Sequence, residues 1–356
     1  MPIVKDFFIG LSNNSFLNKT AKEVGPMFGA NKVVAGNTIK YLIDTIERLN
    51  NKGITVTVDC LGEFVVTEGE AIQAKDQILE VMYAIYNHSL AGHMSVKLSQ
   101  LGSEFDIDLA YRNLREILLK ANEFDNMHIN IDTEKYDSLF DITQVLDRLK
   151  GEFKNVGTVI QAYLYKADAL IDKYPELRLR MVKGAYKENE VIAFQTKEEI
   201  DENYIRLIKK RLLSAKNVTS IATHDDKIIT QIKQFIKDNK IDKDRYEFQM
   251  LYGFRSDLAE QIAGEGNNFC IYVPYGDDWF SYFMRRLAER PQNLNLMFKE
   301  LLKPDILKKV GTIAGIFAGV VATGSILYRV LKNNQFNVQY INNYFKTIHF
   351  LNTTSK

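Results

Sequence analysis

Cysteine is nearly absent from this 356-residue chain: Cys60 and Cys270 are the only two. That excludes a disulfide framework and a cysteine-rich structural zinc site, and it points to a reducing compartment. Glycine (20) and proline (6) are sparse, so the chain is neither a linker nor a fibre. Net charge is lacking too: 46 basic residues against 45 acidic ones leave +1, which gives no global reason to expect nucleic acid as a partner. There is no GxGxxG and no GxxxxGKS/T, so neither a Rossmann nor a P-loop nucleotide site is supported. No histidine pair has ligand spacing such as HExxH, and no metal site is expected. In this reading His88 and His93 lie in or near a helix end, His128 begins a strand, and only His224 sits at a strand end. The run Phe7 to Leu11 has no basic region before it and no small-residue cleavage site after it, so no secretory signal is expected.

What is present is a folded globular profile, 46% hydrophobic and 26% charged, long enough for one large domain or two average ones. Short β-branched runs alternate with longer segments of helical periodicity. The strand candidates are residues 54 to 61, 94 to 99, 128 to 132, 158 to 165, 177 to 184, 219 to 224, 246 to 251 and 269 to 275. Between them, stretches such as 109 to 124, 203 to 215 and 225 to 239 read as amphipathic helices. Such alternation calls for parallel strands joined by helical crossovers. Eight units fit an α/β fold of the (β/α)8 TIM-barrel type better than an open doubly wound sheet. Residues 1–53, with a helix at 37 to 53 ending in Asn-Lys-Gly, are expected to form an N-terminal helical arm, residues 54–300 the barrel, and residues 301–356 a separate tail.

A barrel's active site lies at the C-terminal ends of its strands, and the polar residues there are numerous. They are Lys97, then Asp132, Thr133 and Glu134, then Gln161 and Tyr163. The fifth candidate carries Arg178, Arg180, Lys183, Gly184, Ala185 and Tyr186, the sixth Thr223, His224 and Asp225, the seventh Gln249 and the eighth Tyr272. Each alone could be a surface residue where strand meets loop. After the eighth strand, residues 277 to 290 read as a helix with Tyr282, Arg285, Arg286 and Glu289 within about a 100° arc. An ordinary solvated face is one reading; a bidentate carboxylate clamp, braced by Glu289, is the other. Cys60 and Cys270 read as core thiols of neighbouring strands. A phosphate-bearing cofactor would have to be gripped by side chains and loop backbone, with Arg180, Lys183, Gly184, Thr223 and His224 as candidates.

The motifs RMVKGAY (180 to 186), ATHD (222 to 225), EFQMLYG (247 to 253), YVPYG (272 to 276) and YFMRRLAERPQN (282 to 293) together resemble the proline dehydrogenase family, in its stand-alone bacterial form. The resemblance implies a distorted (β/α)8 barrel that holds FAD at the strand C-termini, oxidises L-proline to Δ1-pyrroline-5-carboxylate and passes electrons to membrane quinone. It implies that Arg285 and Arg286 pair with the proline carboxylate, helped by Lys97, which also meets Asp132. Tyr272 and Tyr282 would wall the ring, Met181 would add an apolar contact, and Glu289 would brace the clamp. Thr133, Gln161, Arg180, Lys183, Gly184, Ala185, Thr223 and His224 match FAD-contacting positions, with Arg180 placed to tune the flavin and Asp132 to orient Lys97. Product would leave for a separate pyrroline-5-carboxylate dehydrogenase. A flavoenzyme for another cyclic imino acid and a catalytically silent, membrane-tethered barrel are the competing readings.

One feature is not part of that resemblance. No acidic residue occurs from Ile306 to Lys356, and residues 310–328 form an uncharged run that would reach roughly 28 Å as a helix. Gly311, Gly315 and Gly319 form a small-residue stripe along it, with basic residues on both flanks. A helix that tethers the barrel to the cytoplasmic face of the membrane is expected there, with burial against protein as the alternative.

Overall fold

The structure, a computed structural model, describes residues 8–12, 14, 17–19, 21, 33–62 and 65–289, apart from the side chains of Leu287 and Glu289. The expectations for residues 301–356, for the run 310–328 and for the Glu289 brace lie outside the described residues. The chain forms two compact units, Thr38–Tyr275 and a second made of Met1–Asn37 with Gly276–Lys356.

The first unit is a closed barrel of eight parallel strands in sequence order. They are β1 (Thr55–Cys60), β2 (Gly92–Lys97), β3 (Ile129–Asp132), β4 (Val156–Gln161), β5 (Arg178–Val182), β6 (Thr219–Ala222), β7 (Tyr246–Leu251) and β8 (Phe269–Tyr275). β1 and β8 close the ring over a run of pairs from Thr55 opposite Cys270 to Cys60 opposite Tyr275. The helices are α1 (Ile39–Asn50), α2 (Glu68–Asn87), α3 (Ile107–Glu123), α4 (Leu139–Leu149), α5 (Ala167–Lys173), α6 (Lys197–Ser214), α7 (Asp226–Asp238) and α8 (Ser256–Gly264). Their starts are written in the sequence. Thr67 with Glu70 and Thr196 with Glu199 form capping boxes, and Asp106 and Asp225 cap α3 and α7 through their carboxylates.

Several strand limits differ from expectation, three of them for a visible reason. β4 stops at Gln161, because Tyr163 and Leu164 turn away: Leu164 bridges Ala193, and Tyr163 N–H donates to the Lys183 carbonyl at 2.9 Å. β5 stops at Val182, where Gly184 takes φ +116°, a conformation that breaks an extended strand. A Cβ on Gly184 would fall 2.3 Å from the Tyr163 ring, so no other residue fits that turn. β2 begins two residues early, at Gly92, which packs beneath Val56 and Ile85. His93 is therefore a buried strand residue and not a helix-end residue, whereas His88 does cap the C-terminus of α2.

Alternation assigns the two faces of the wall. Val56, Val58, Met94, Val96, Ile129, Ile131, Leu179, Met181, Phe248, Met250, Ile271 and Val273 are buried on the helix side. Their neighbours in sequence turn inward.

In the second unit, α9 (Trp279–Glu289) carries Arg285 and Arg286. Its start is tied to the N-terminal segment by Trp279 Nε1 donating to the Ala21 carbonyl at 3.2 Å and by Asn37 Nδ2 donating to Asp277 at 2.8 Å.

Candidate active site

The barrel interior carries polar and charged side chains at every level, although parallel sheets and barrel cores are ordinarily lined with branched apolar side chains. Near the N-terminal ends of the strands, His93 and His128 meet edge to face with ring centroids 5.3 Å apart. Burial first, and then the nearby Arg178 charge, hold both imidazoles well below their usual range, so they are neutral. Beside them, Arg178 of β5 pairs with Glu247 of β7, and Ser220 of β6 donates to the same carboxylate at 2.6 Å. Burial works against the Glu247 charge, but Arg178 and the hydrogen bonds outweigh it and leave the carboxyl below its ordinary value.

Arg180 stands one layer higher and is 5% exposed. Its Nε donates to Gln249 Oε1 at 2.7 Å, Nη1 to Asp132 Oδ1 at 2.6 Å, and Nη2 to Ser95 Oγ at 2.8 Å and Thr57 Oγ1 at 3.3 Å. Partners on β7, β3, β2 and β1 can be reached from β5 only across the barrel axis. Asp132 also accepts from Asn130 Nδ2 at 3.0 Å and from the Tyr272 hydroxyl at 2.8 Å. Burial, followed by the charges of Asp132 and Asp59, pushes the Tyr272 phenol well above its usual range, so it is a neutral donor at physiological pH. The Arg180 guanidinium carbon lies 5.1 Å from the centre of the Tyr272 ring.

At the C-terminal end, Lys97 Nζ lies 2.7 Å from Asp59 Oδ1. The expected partner was Asp132, its neighbour in the β2–β3 register, yet Asp132 is turned to Arg180 while Asp59 faces the ammonium. Burial raises the Asp59 carboxyl ahead of the opposing pull of Lys97.

The remaining expected residues fall into three groups. Thr133, Gln161, Lys183, Gly184, Ala185, Thr223 and His224 lie at or just beyond the C-terminal ends of β3 to β6. There Gln161 donates to the Glu134 carbonyl at 3.1 Å, Lys183 pairs with Asp201 at 2.5 Å, and His224 Nε2 accepts from the Leu251 N–H at 3.3 Å. Thr133 Oγ1 is buried without a hydrogen-bond partner among the described residues. Met181 stands apart: alternation puts it on the face opposite Arg180, fully buried on the helix side, so it does not share the inner face with the polar cluster. Tyr282, Arg285 and Arg286 lie together on α9. The Arg286 guanidinium is 5.1 Å from the Tyr282 ring centre, and Arg285 Nη1 donates to Ser281 Oγ at 3.2 Å.

Asp59, Glu247, Ser95, Thr57 and Asn130 were not among the candidates. Their signal was present as period-two polarity inside the strands: Thr55, Thr57, Asp59; His93, Ser95, Lys97; His128, Asn130, Asp132; Arg178, Arg180; Glu247, Gln249. Cys60 and Cys270 are both buried, and burial raises both thiols, as suits inert core residues. Among the described residues no group of His, Cys, Asp and Glu could hold a metal ion.

The proline dehydrogenase family model matches residues 42–298. Proline dehydrogenase 2 of Bacillus subtilis (strain 168) is 43% identical over 303 residues, covering 85% of this chain and 99% of the relative. Proline dehydrogenase of Deinococcus radiodurans is 38% identical over 281 residues, 77% of this chain and 90% of the relative. Among solved structures, proline utilization A (PutA) from Bdellovibrio bacteriovorus, inactivated by N-propargylglycine, superposes with a TM-score of 0.68 at 23% identity. That match covers 79% of this chain and 34% of the much longer relative, and it speaks to the fold alone. With a closed parallel barrel, a charged cluster at its centre and family-wide similarity over the same residues, this chain belongs to the proline dehydrogenase family.

Proposed function

We propose that the chain oxidises L-proline to Δ1-pyrroline-5-carboxylate with FAD as its cofactor, as a step of proline catabolism, and that membrane quinone takes the electrons. The observation that carries this reading is the Arg180, Asp132 and Tyr272 cluster at the centre of a barrel that belongs to this family. The donors around the ends of β3 to β6 suit a cofactor with a pyrophosphate and a hydroxyl-bearing chain. Thr133 offers a buried hydroxyl without a hydrogen-bond partner among the described residues, Lys183 a cation, Gln161 an amide, and the Gly184 turn its backbone groups. Thr133, Gln161, Arg180, Lys183, Gly184, Ala185, Thr223 and His224 would hold the group. FAD bound there would supply a two-electron acceptor for the hydride of the ring carbon next to nitrogen.

The chain's own residues do the rest. Arg285 and Arg286 present two fork-shaped donors suited to the substrate carboxylate. In the barrel, Lys97 is held by Asp59 and Tyr272 offers a flat wall suited to the pyrrolidine ring; on α9, Tyr282 offers another. The Tyr272 ring is fixed from behind by its bond to Asp132. Substrate must arrive with a neutral amine. Asp132 does not serve as its base, being occupied by Arg180, Asn130 and Tyr272. A separate dehydrogenase would consume the product. No helix among the described residues is long and apolar enough to cross a membrane. We assign the run 310–328 to a membrane contact on the cytoplasmic side, to be tested by fractionating the full chain beside one ending at Asp305.

The decisive experiment is an anaerobic absorbance titration of the purified protein with L-proline. Flavin bands that bleach on addition are the expected result. Absence of flavin, or flavin that proline leaves oxidised, sinks the assignment.

A further inference from the structure

Glu247 lies below the residues that the family resemblance brings to the site, and nothing in the chemistry above uses it. It is 6% exposed, inside the barrel, and its carboxylate is held by Arg178 and by Ser220. The same Oε1 accepts from Gln249 Nε2 at 2.5 Å, and the other end of that amide accepts from Arg180 Nε at 2.7 Å. Gln249 is thus a spacer between a carboxylate and the guanidinium.

The chemistry of its neighbours leaves this amide one orientation. An arginine Nε–H only donates, so it must face the amide oxygen; an ionised carboxylate only accepts, so it must face the NH2 group. An acid that became neutral, or an amide at position 247, would remove that constraint. Gln249 could then turn over and aim N–H at N–H. Arg180 would lose its bond on the β7 side and keep only those to Asp132, Ser95 and Thr57, around which the guanidinium plane can swing.

We propose that Glu247 is a positioning residue for Arg180: through Gln249 it fixes the plane in which the guanidinium is presented toward the cofactor side of the barrel. The proposal rests on the reading of Arg180 as the residue that tunes the flavin. Outer-layer partners of this kind orient a reacting group that they never touch.

The test is a double-mutant cycle on the holoenzyme with Glu247→Gln, Arg180→Lys and the pair. It is read by kcat and KM for proline and by the reduction potential of the bound flavin from spectroelectrochemical titration. Glu247→Gln should lower kcat roughly 10-fold to 100-fold, change KM less than about twofold, and move the potential. Both effects should vanish in the Arg180→Lys background, where there is no fork left to orient. Equal losses in the two backgrounds, or an unmoved kcat and potential in Glu247→Gln, overturn the proposal. If Arg180→Lys alone keeps wild-type kcat and potential, the flavin-facing reading of Arg180 fails and the proposal goes with it. Should Glu247→Gln not fold, Gln249→Met leaves Arg178, Ser220 and Glu247 in place. It should give the same loss and the same non-additivity, and additive behaviour there counts against the proposal equally.

Discussion

Arg180 and Met181 are consecutive residues of β5, 5% and 0% exposed, yet they live in opposite surroundings. Arg180 turns inward to hydroxyls, an amide and a carboxylate from four other strands. Met181 turns outward into a layer of Val, Ile, Leu, Met and Phe under the helices. The same contrast repeats at Asp132 against Ile131 and at Glu247 against Phe248. Water is excluded from both faces, so burial alone does not distinguish them. On the outer face, apolar area removed from water stabilises the barrel at about 25 cal/mol per Å². On the inner face, desolvated Asp59, Asp132 and Glu247 are matched by Lys97, Arg178 and Arg180, an arrangement that contributes little net stability but fixes charged groups rigidly where the dielectric is low. One face makes the fold and the other uses it.

The largest effect should come from breaking the inner face at its centre. Arg180→Ala strips Asp132 and Gln249 of their shared partner and should lower kcat/KM on the order of 10³-fold, because preorganised charge is typically the largest single contribution to catalysis. The matching cut on the outer face, Phe248→Ala, should cost about 3 to 5 kcal/mol in denaturant unfolding while the folded fraction turns over at nearly the wild-type kcat. Steady-state kinetics beside urea titrations of both variants decide the matter. If Phe248→Ala loses turnover as steeply as Arg180→Ala, the division of labour between the faces does not hold.

A smaller effect probes the lower end of the inner face. His93 and His128 are buried neutral, with folded-state pKa values well below the usual 6.5 because of burial and the Arg178 charge. Below about pH 6.5 the unfolded chain takes up protons that the native chain refuses, so stability must fall as the pH falls, at up to roughly 1.4 kcal/mol per unit for each histidine. Asp59, whose carboxyl is raised, acts in the opposite sense, and Glu247, whose carboxyl is lowered, acts only at still lower pH. The informative quantity is the difference in slope of unfolding free energy between pH 5 and 7 for wild type and His128→Gln. The variant should be flatter; parallel curves would mean that His128 takes up its proton in the native chain as readily as in the unfolded one.

Much of this was legible in the sequence, and the parts that were not share a physical cause. Eight strands and their order follow from β-branched runs punctuated by helix caps such as Thr67, Thr196 and Asp225, which are local signals. Asp132 is legible because it ends a strand, and Arg180 and Tyr272 because they sit in recognisable motifs. Asp59 and Glu247 are hidden because a charged residue within a short apolar run looks like an edge or a surface. It becomes intelligible only when the ring closes and the inward charges meet partners across the axis. The partner of Lys97 is hidden for the same reason. Register placed Asp132 beside it, but side-chain reach and the competing pull of Arg180 gave it Asp59.

The smallest expected effect is at Met181, where the family resemblance implied a contact with substrate and the alternation of β5 puts the side chain on the helix side. The two placements differ in what a shape change should do. A residue that walls the pyrrolidine ring contributes directly to substrate binding, so branching it differently would shift KM for proline by several-fold or more, with thermal stability nearly unchanged. A residue packed among Ile160, Ile221 and the helices above them is a core methionine, and an unbranched thioether in such a layer tolerates a swap of similar volume. Met181→Leu should therefore leave KM and kcat within about twofold of wild type and cost less than about 1.5 kcal/mol of stability. Met181→Ala should open a cavity worth about 2 to 5 kcal/mol, again with KM for proline nearly unmoved. A rise in KM without loss of stability in either variant would bring Met181 to the substrate side and show that β5 presents both of its faces to the site.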